Sequence, residues 1–189
     1  MSERLIYKIL ESKQTVFSLN EIALFGGFKE TNNLKSQLNY YVKTNLLLNI
    51  RRGVYAKPDY NIEEFACKLY TPSYISLDYV LQKEGVVFQY NNIITSVSYL
   101  SRIIPTENQP IAYRKIKSGV LLDTTGIKRK ANGINIASAE RAVLDCLYLN
   151  KSGYFDNTTS LDMGLMRKIL IVYQSKTMEK LFNEIFIYV

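Results

Sequence analysis

Between residues 3 and 12, Leu5, Ile6, Ile9 and Leu10 fall on one helical stripe, while Arg4, Lys8 and Glu11 lie outside it. A short extended piece, Thr15-Val16-Phe17, follows. Ser18 and Glu21 stand at capping-box spacing, so the Ser18 hydroxyl can accept from the Glu21 N–H while the Glu21 side chain reaches back. The spacing predicts a short helix through Ala23-Leu24-Phe25 that ends at Gly26-Gly27, where a positive φ is easily reached. The next helix is expected from about Thr31-Asn32 to about Asn45. Its apolar stripe is Leu34, Leu38, Tyr41 and Val42, with Lys35, Ser36, Asn39, Tyr40 and Lys43 largely on the other side. Two β-prone runs, Leu46 to Ile50 and Val54 to Lys57, flank Arg51-Arg52-Gly53 and read as a hairpin closed by Pro58-Asp59.

Helix, strand, helix, turn, helix, hairpin is the element order of a winged helix-turn-helix. The segment from Pro58 to Asn61 is the expected boundary, giving a DNA-binding domain over 1–60 and an α+β domain over 61–189. Beyond the boundary, Ile62 to Leu69 reads as helical, Thr71-Pro72-Ser73 as a break, and about Ser76 to Lys83 as a helix that stops at Gly85. Strand formers then dominate in Val86-Val87-Phe88, Ile93 to Val97, Ile111-Ala112-Tyr113 and Val120-Leu121-Leu122. Asn132-Gly133 marks a turn before Ile134-Asn135-Ile136. Ser138 can cap a helix over Ala139–Leu149 with Val143, Leu144, Leu147 and Tyr148 as its stripe, and the tail from Leu161 reads as an apolar helix or helix pair. The fold class expected is α+β: a winged helix-turn-helix, then a mixed domain with a small central sheet flanked by helices.

Composition narrows the chemistry. The chain has 189 residues, 47% of them apolar, enough for a sizeable core. It contains no histidine. Ser-His-Asp and Cys-His mechanisms, and most nitrogen-ligated metal centres, are therefore excluded. Cys67 and Cys146 are expected as buried thiols in a reducing cytosol. No apolar run approaches the ~20 residues that span a bilayer, nothing reads as a signal peptide, and a cytoplasmic location without membrane contact is expected. Glu63, Glu64, Asp78, Asp123, Glu140 and Asp145 could be assembled into a metal site on paper. However, the chain's one Glu-x-Lys triplet, Glu11-Ser12-Lys13, lies upstream of every Asp, and no glycine-rich phosphate loop is present. Arg141 and Asp145, four apart on a helix, are expected to form a surface or rim ion pair. No catalytic residue, metal or cofactor is assigned, and the chain is expected not to be an enzyme.

The net charge of +7 favours a polyanionic partner. Residues 1–60 carry nine basic side chains against five acidic, and the remainder fifteen against twelve, so the excess per residue is larger at the N-terminus. A helix that enters a major groove needs polar or cationic side chains on one face and an apolar anchor on the other. The helix over 32–45 supplies both. Asn33, Ser36 and Asn39 are neutral donor-acceptors suited to reading bases, whereas Lys29, Lys35 and Lys43 suit phosphates; Asn32 and Tyr40 complete the expected contact surface. Arg51 and Arg52 sit at the hairpin tip, where a wing meets the DNA backbone or minor groove. The bland alternative is an ordinary solvated helix face and a charged turn. The fifteen tyrosines suggest a base-stacking surface. Yet Tyr55, Tyr70, Tyr74, Tyr79, Tyr99 and Tyr113 have apolar or strand-like neighbours and are better explained as core or half-buried.

Three blocks carry a resemblance: Arg52-Gly53-Val54-Tyr55-Ala56 in the hairpin; Leu69 through Ser73-Tyr74-Ile75-Ser76 to Leu81–Gly85; and Gly133 to Asp145, reading GINIASAERAVLD. In order and spacing they resemble the AbiEi family of antitoxin-regulators from bacterial type IV toxin–antitoxin systems. The resemblance implies a winged helix-turn-helix that binds double-stranded operator DNA and represses its own operon. It also implies a following domain that counteracts a nucleotidyltransferase-like toxin without a stable complex. It supports Arg51 and Arg52 as DNA contacts and carries over no antitoxin residue. A monomer or a homodimer would serve. The rivals are a protein-interaction module that uses the winged helix as a scaffold and a metal-dependent enzyme acting on nucleic acid.

Overall fold

The computed structural model describes residues 2–28, 31–107, 109–151 and 153–186. The chain divides into two compact units, residues 1–69 with 131–133, and residues 70–130 with 134–189. Both mix helices and strands, so the fold is α+β.

The first unit runs α1 (Ser2–Glu11), β1 (Val16–Ser18), α2 (Leu19–Gly26), α3 (Thr31–Lys43), β2 (Leu48–Arg51), β3 (Val54–Ala56) and α4 (Ile62–Leu69). The capping box at the start of α2 is formed in full: the Glu21 N–H donates to Ser18 Oγ at 3.2 Å and the Ser18 N–H to Glu21 Oε2 at 2.8 Å. The helix ends where Gly27 turns left-handed, at φ 66°. The strands form an antiparallel sheet in the order β1-β3-β2, with Val16 opposite Ala56 and a register shift between β2 and β3. The expected extended piece is thus, over Val16–Ser18, the third strand of the hairpin's sheet. Leu5, Ile9, Phe17, Ile22, Leu34, Leu38, Leu47 and Tyr55 meet in one core.

The division falls after Leu69, so α4, which the boundary expected near residue 60 assigns to the second domain, belongs to the first unit. Its hydrogen bonds explain why. Asn61 Oδ1 accepts from the Glu63 N–H at the start of α4. The buried Glu64 carboxylate takes the Thr15 and Val16 N–H groups at 3.0 Å and the Thr15 hydroxyl at 2.8 Å. These donors lie where β1 begins and would otherwise be unpaired inside the protein.

The second unit runs β4 (Ser73–Ile75), α5 (Asp78–Lys83), β5 (Ile94–Ser98), β6 (Arg102–Ile104), β7 (Ile111–Lys115), α6 (Ser118–Leu122), β8 (Ile127–Arg129), β9 (Asn135–Ala137), α7 (Ala139–Asn150), α8 (Met163–Leu170), a 3-10 turn (Ile171–Tyr173) and α9 (Lys176–Phe186). Its sheet has the order β6-β7-β5-β4-β9-β8, with the β5–β7 and β4–β9 pairs parallel and the rest antiparallel. The helix α7, capped by Ser138, which accepts from the Arg141 N–H, packs against α5, α8 and α9.

Three expectations are corrected here. Val120-Leu121-Leu122 is helical, not a strand: three apolar residues do not distinguish the two, and Val120 and Leu121 face the core from α6. Val86-Val87-Phe88 is irregular; after Gly85 turns left-handed, the Val86 and Val87 N–H groups return to the Leu81 carbonyl and close off α5. Arg141 and Asp145 are not at a surface or rim, for both side chains have no solvent exposure.

Around that pair lies a buried polar network. Arg141 donates to the Thr125 carbonyl at 2.9 Å, the Val120 carbonyl at 2.7 Å and the Tyr74 hydroxyl at 3.2 Å, and its Nε lies 3.4 Å from Asp145 Oδ1. Asp145 accepts from the hydroxyls of Tyr173 (2.6 Å), Ser76 (2.7 Å) and Tyr74 (3.2 Å). Burial pushes the Asp145 carboxyl up, opposed by the guanidinium and the three hydroxyls, and burial likewise raises the Tyr74 and Tyr173 phenols. Among the described residues no helix is long and apolar enough to cross a membrane.

Candidate nucleic-acid interface

The apolar stripe of α3 anchors its opposite face. Leu34 and Leu38 are fully buried and Tyr41 is 3% exposed, so the rotation of the helix about its axis is set by the core. That orientation leaves Asn32, Asn33, Lys35, Ser36, Asn39, Tyr40 and Lys43 in solvent together. Seven of the ten residues singled out in the sequence therefore lie exposed on one helix. Lys29 lies outside the described residues.

Within this face the Ser36 hydroxyl donates back to the Asn32 carbonyl at 3.4 Å. Tyr40 is 61% exposed and stands edge-on to Tyr41, ring centroids 6.0 Å apart. Burial raises the Tyr41 phenol above its ordinary value, and the neighbouring Tyr40 adds to this; Tyr41 belongs to the anchor, not to the polar face. At the end of α3, Asn45 is left-handed and the Leu46 and Leu47 N–H groups return to the Tyr41 carbonyl, which turns the chain into β2.

The other two candidates sit at the hairpin. Arg51 ends β2 and is half-buried; Arg52 is exposed in the two-residue connection with Gly53, whose φ of 76° suits a residue without a Cβ. The base of the hairpin shares the core of α3 through Leu47 and Tyr55, so both are tied to one packed body. Asn49, midway along β2, is a further exposed polar residue of the hairpin. The alternation Leu48-Asn49-Ile50 was its signal in the sequence. Lys8 and Lys57, by contrast, serve the fold: Lys8 donates to the Phe25 carbonyl, and Lys57 to the carbonyls of Leu10 and Ser12 after α1.

Four of the carboxylates that could be drawn together on paper have structural partners of their own. Glu64 holds β1, Glu140 accepts from the Asp162 N–H, Asp145 lies in the buried network and Asp123 accepts from the Thr125 N–H. Among the described residues no group of three or more Cys, Asp or Glu could hold a metal ion. Cys67 and Cys146 are both buried and form no disulfide with one another. Of the tyrosines read as core or half-buried, Tyr55, Tyr74 and Tyr113 are buried, whereas Tyr99 is exposed. Comparison with known proteins gives no family model that matches the chain and no curated protein that matches it.

Proposed function

We propose that the first unit is a winged helix-turn-helix that binds double-stranded DNA, with α3 in the major groove and the β2–β3 hairpin as its wing. The carrying observation is the two-faced character of α3: an anchored apolar stripe opposite an unbroken set of amides, hydroxyls and cations in solvent. Lys35, Lys43 and Arg52 meet phosphates, and Asn33, Ser36 and Asn39 face base edges.

The protein then acts as a regulator that represses its own operon and counteracts a nucleotidyltransferase-like toxin without a stable complex, and it is not an enzyme. The resemblance to AbiEi supports this. Its second and third sequence blocks, far apart in the chain, come together through the Ile75–Ile136 pairing, Ser76 Oγ on Asp145 and Arg141 on the Tyr74 hydroxyl. Residues with such linked structural duties are those a shared fold would hold in common.

The test is duplex binding by the full chain across a range of salt, using the DNA upstream of its gene. Replacing Lys35 and Lys43 by Ala should weaken binding to every duplex and flatten the salt dependence, by about 0.9 in log–log slope for each phosphate that is no longer neutralised. Asn39→Ala should instead change the preference among sequences. A double variant that binds operator unchanged at every salt concentration would overturn the assignment of α3.

A further inference from the structure

In the second unit a cavity of about 350 Å³, open on one side, is walled by α5, the loop after it, α7 and the loop over 153–156. Two of its lining side chains are aromatic and left in water: Phe88 is 70% exposed and Tyr154 82%. Large aromatics left in solvent around one hollow are unusual in a chain that has a core to receive them, and they mark contact surfaces.

The polar lining has a definite sign. Asp78 and Asp156 both border the cavity, in a protein whose net charge is +7. Asp156 is held in place: its Oδ2 accepts from the Phe88 N–H at 2.8 Å, and its own N–H donates to the Val86 carbonyl. Asp78 has no hydrogen bond or ion pair among the described residues. The nearby cation, Arg114, is engaged by Asn150 Oδ1 at 3.2 Å. The floor is apolar, formed by Leu81 and the buried Cys146.

We propose that this cavity is a docking site for an arginine or lysine side chain of a partner protein. Aromatic faces attract a cation through their quadrupole, and two carboxylates beside them supply the opposite charge, while an apolar floor suits the methylene stem. A nucleotide fits less well, because its phosphates would be repelled by both carboxylates. A small free cation would use only part of the hollow. This site is independent of the DNA-binding face, so it stands or falls separately from the function proposed above.

The probe is acetyl-glycyl-arginyl-glycinamide, titrated into the full-length protein at constant ionic strength, with the backbone and aromatic NMR signals of residues 78, 88, 154 and 156 followed. The peptide should shift these four together and saturably, at millimolar concentrations; its glutamyl counterpart should not. Phe88→Ala and Tyr154→Ala should each weaken binding about fivefold, and Asp78→Asn by a similar factor. All three side chains are exposed, so the variants should keep the fold, and unshifted signals from β6 and β8, away from the cavity lining, check that. The proposal is overturned by no shift at these residues, by guanidinium chloride matching the peptide, or by adenosine binding there in its place.

Discussion

Two sets of cationic side chains, one in each unit, stand in opposite settings. In the first, Lys35, Lys43 and Arg52 stand in water. In the second, Arg141 is withdrawn from water entirely and meets two carbonyls, a hydroxyl and a carboxylate, with its guanidinium over the rings of Tyr74 and Tyr173. A charge left exposed on an ordered helix is available to a partner. A charge buried with several partners serves the fold, since an unpaired buried ion costs several kcal/mol. Mutations should therefore separate: those in the first set change binding and leave stability alone, and those in the second change stability.

The largest effect should come from Arg141→Ala, which strands the Asp145 carboxylate and leaves the Val120 and Thr125 carbonyls without their donor. A loss of about 3–5 kcal/mol is expected, read by chemical denaturation followed through tyrosines of the second unit. Replacing both Arg141 and Asp145 by apolar residues of similar volume should cost less, because no charge is then left unpaired, although the Val120 and Thr125 carbonyls and the Ser76, Tyr74 and Tyr173 hydroxyls still lose their partners. If the single and double replacements cost the same, the pair is not the source of the stability. Lys35→Ala with Lys43→Ala is the counterpart, and should leave the denaturation curve within about 0.5 kcal/mol of the parent.

Next in size is Gly126→Ala. Gly126 has a φ of 77°, and an added Cβ would lie 2.7 Å from Ile169 Cδ1 and 3.0 Å from Arg141 Cβ. Strain and overpacking together should cost about 2–4 kcal/mol. Its carbonyl also accepts from the Ser138 N–H at 2.7 Å, so a shift here disturbs the start of α7.

Much of the first unit was legible in the sequence because its signals are local. The Ser18–Glu21 box, the glycines after α2, the stripe of α3 and the Arg-Gly turn each act within a few residues, and the exposed face of α3 follows from its periodicity. The parts that were not legible depend on long-range pairing. Nothing around Thr15 announces that its N–H will meet Glu64, 49 positions away. Arg141 and Asp145 at i,i+4 look like any surface pair, and only the distant hydroxyls of Ser76, Tyr74 and Tyr173 make their burial tolerable. The Val120-Leu121-Leu122 run has no period long enough to decide between helix and strand. The aromatic cavity was invisible for a related reason, since Phe88 and Tyr154 are brought together by the hydrogen bond between the Phe88 N–H and Asp156.

The first unit has a buried carboxylate of its own in Glu64. In Glu64→Gln an amide replaces one of two oxygens that accept from Thr15 and Val16, so an N–H must face an N–H. A loss of about 1–3 kcal/mol is expected, with no change in the salt slope of DNA binding in the fraction that stays folded. A changed slope would mean that α4 and β1 take part in binding DNA.

The smallest effect concerns pH and Glu21. Burial pulls the Glu21 carboxyl up, but Lys68 at 2.6 Å and the Ser18 N–H and hydroxyl outweigh it, and the group titrates below its ordinary value of 4.5. A carboxyl depressed on folding contributes stability that is fully present above its unfolded pKa and is lost as pH falls through the folded one. The first unit should accordingly weaken as pH drops below about 4.5. The Glu21→Gln variant keeps the capping hydrogen bonds but carries no charge, so it should lose that part of the acid slope. The pair is partly exposed, and a difference of less than about 1 kcal/mol at neutral pH is expected. Lys68→Met should shrink the acid slope without abolishing it, since Ser18 still favours the carboxylate. If parent and Glu21→Gln lose stability in parallel on acidification, the Lys68 pair contributes nothing, and α4 is held to the first unit by Glu64 and apolar packing alone.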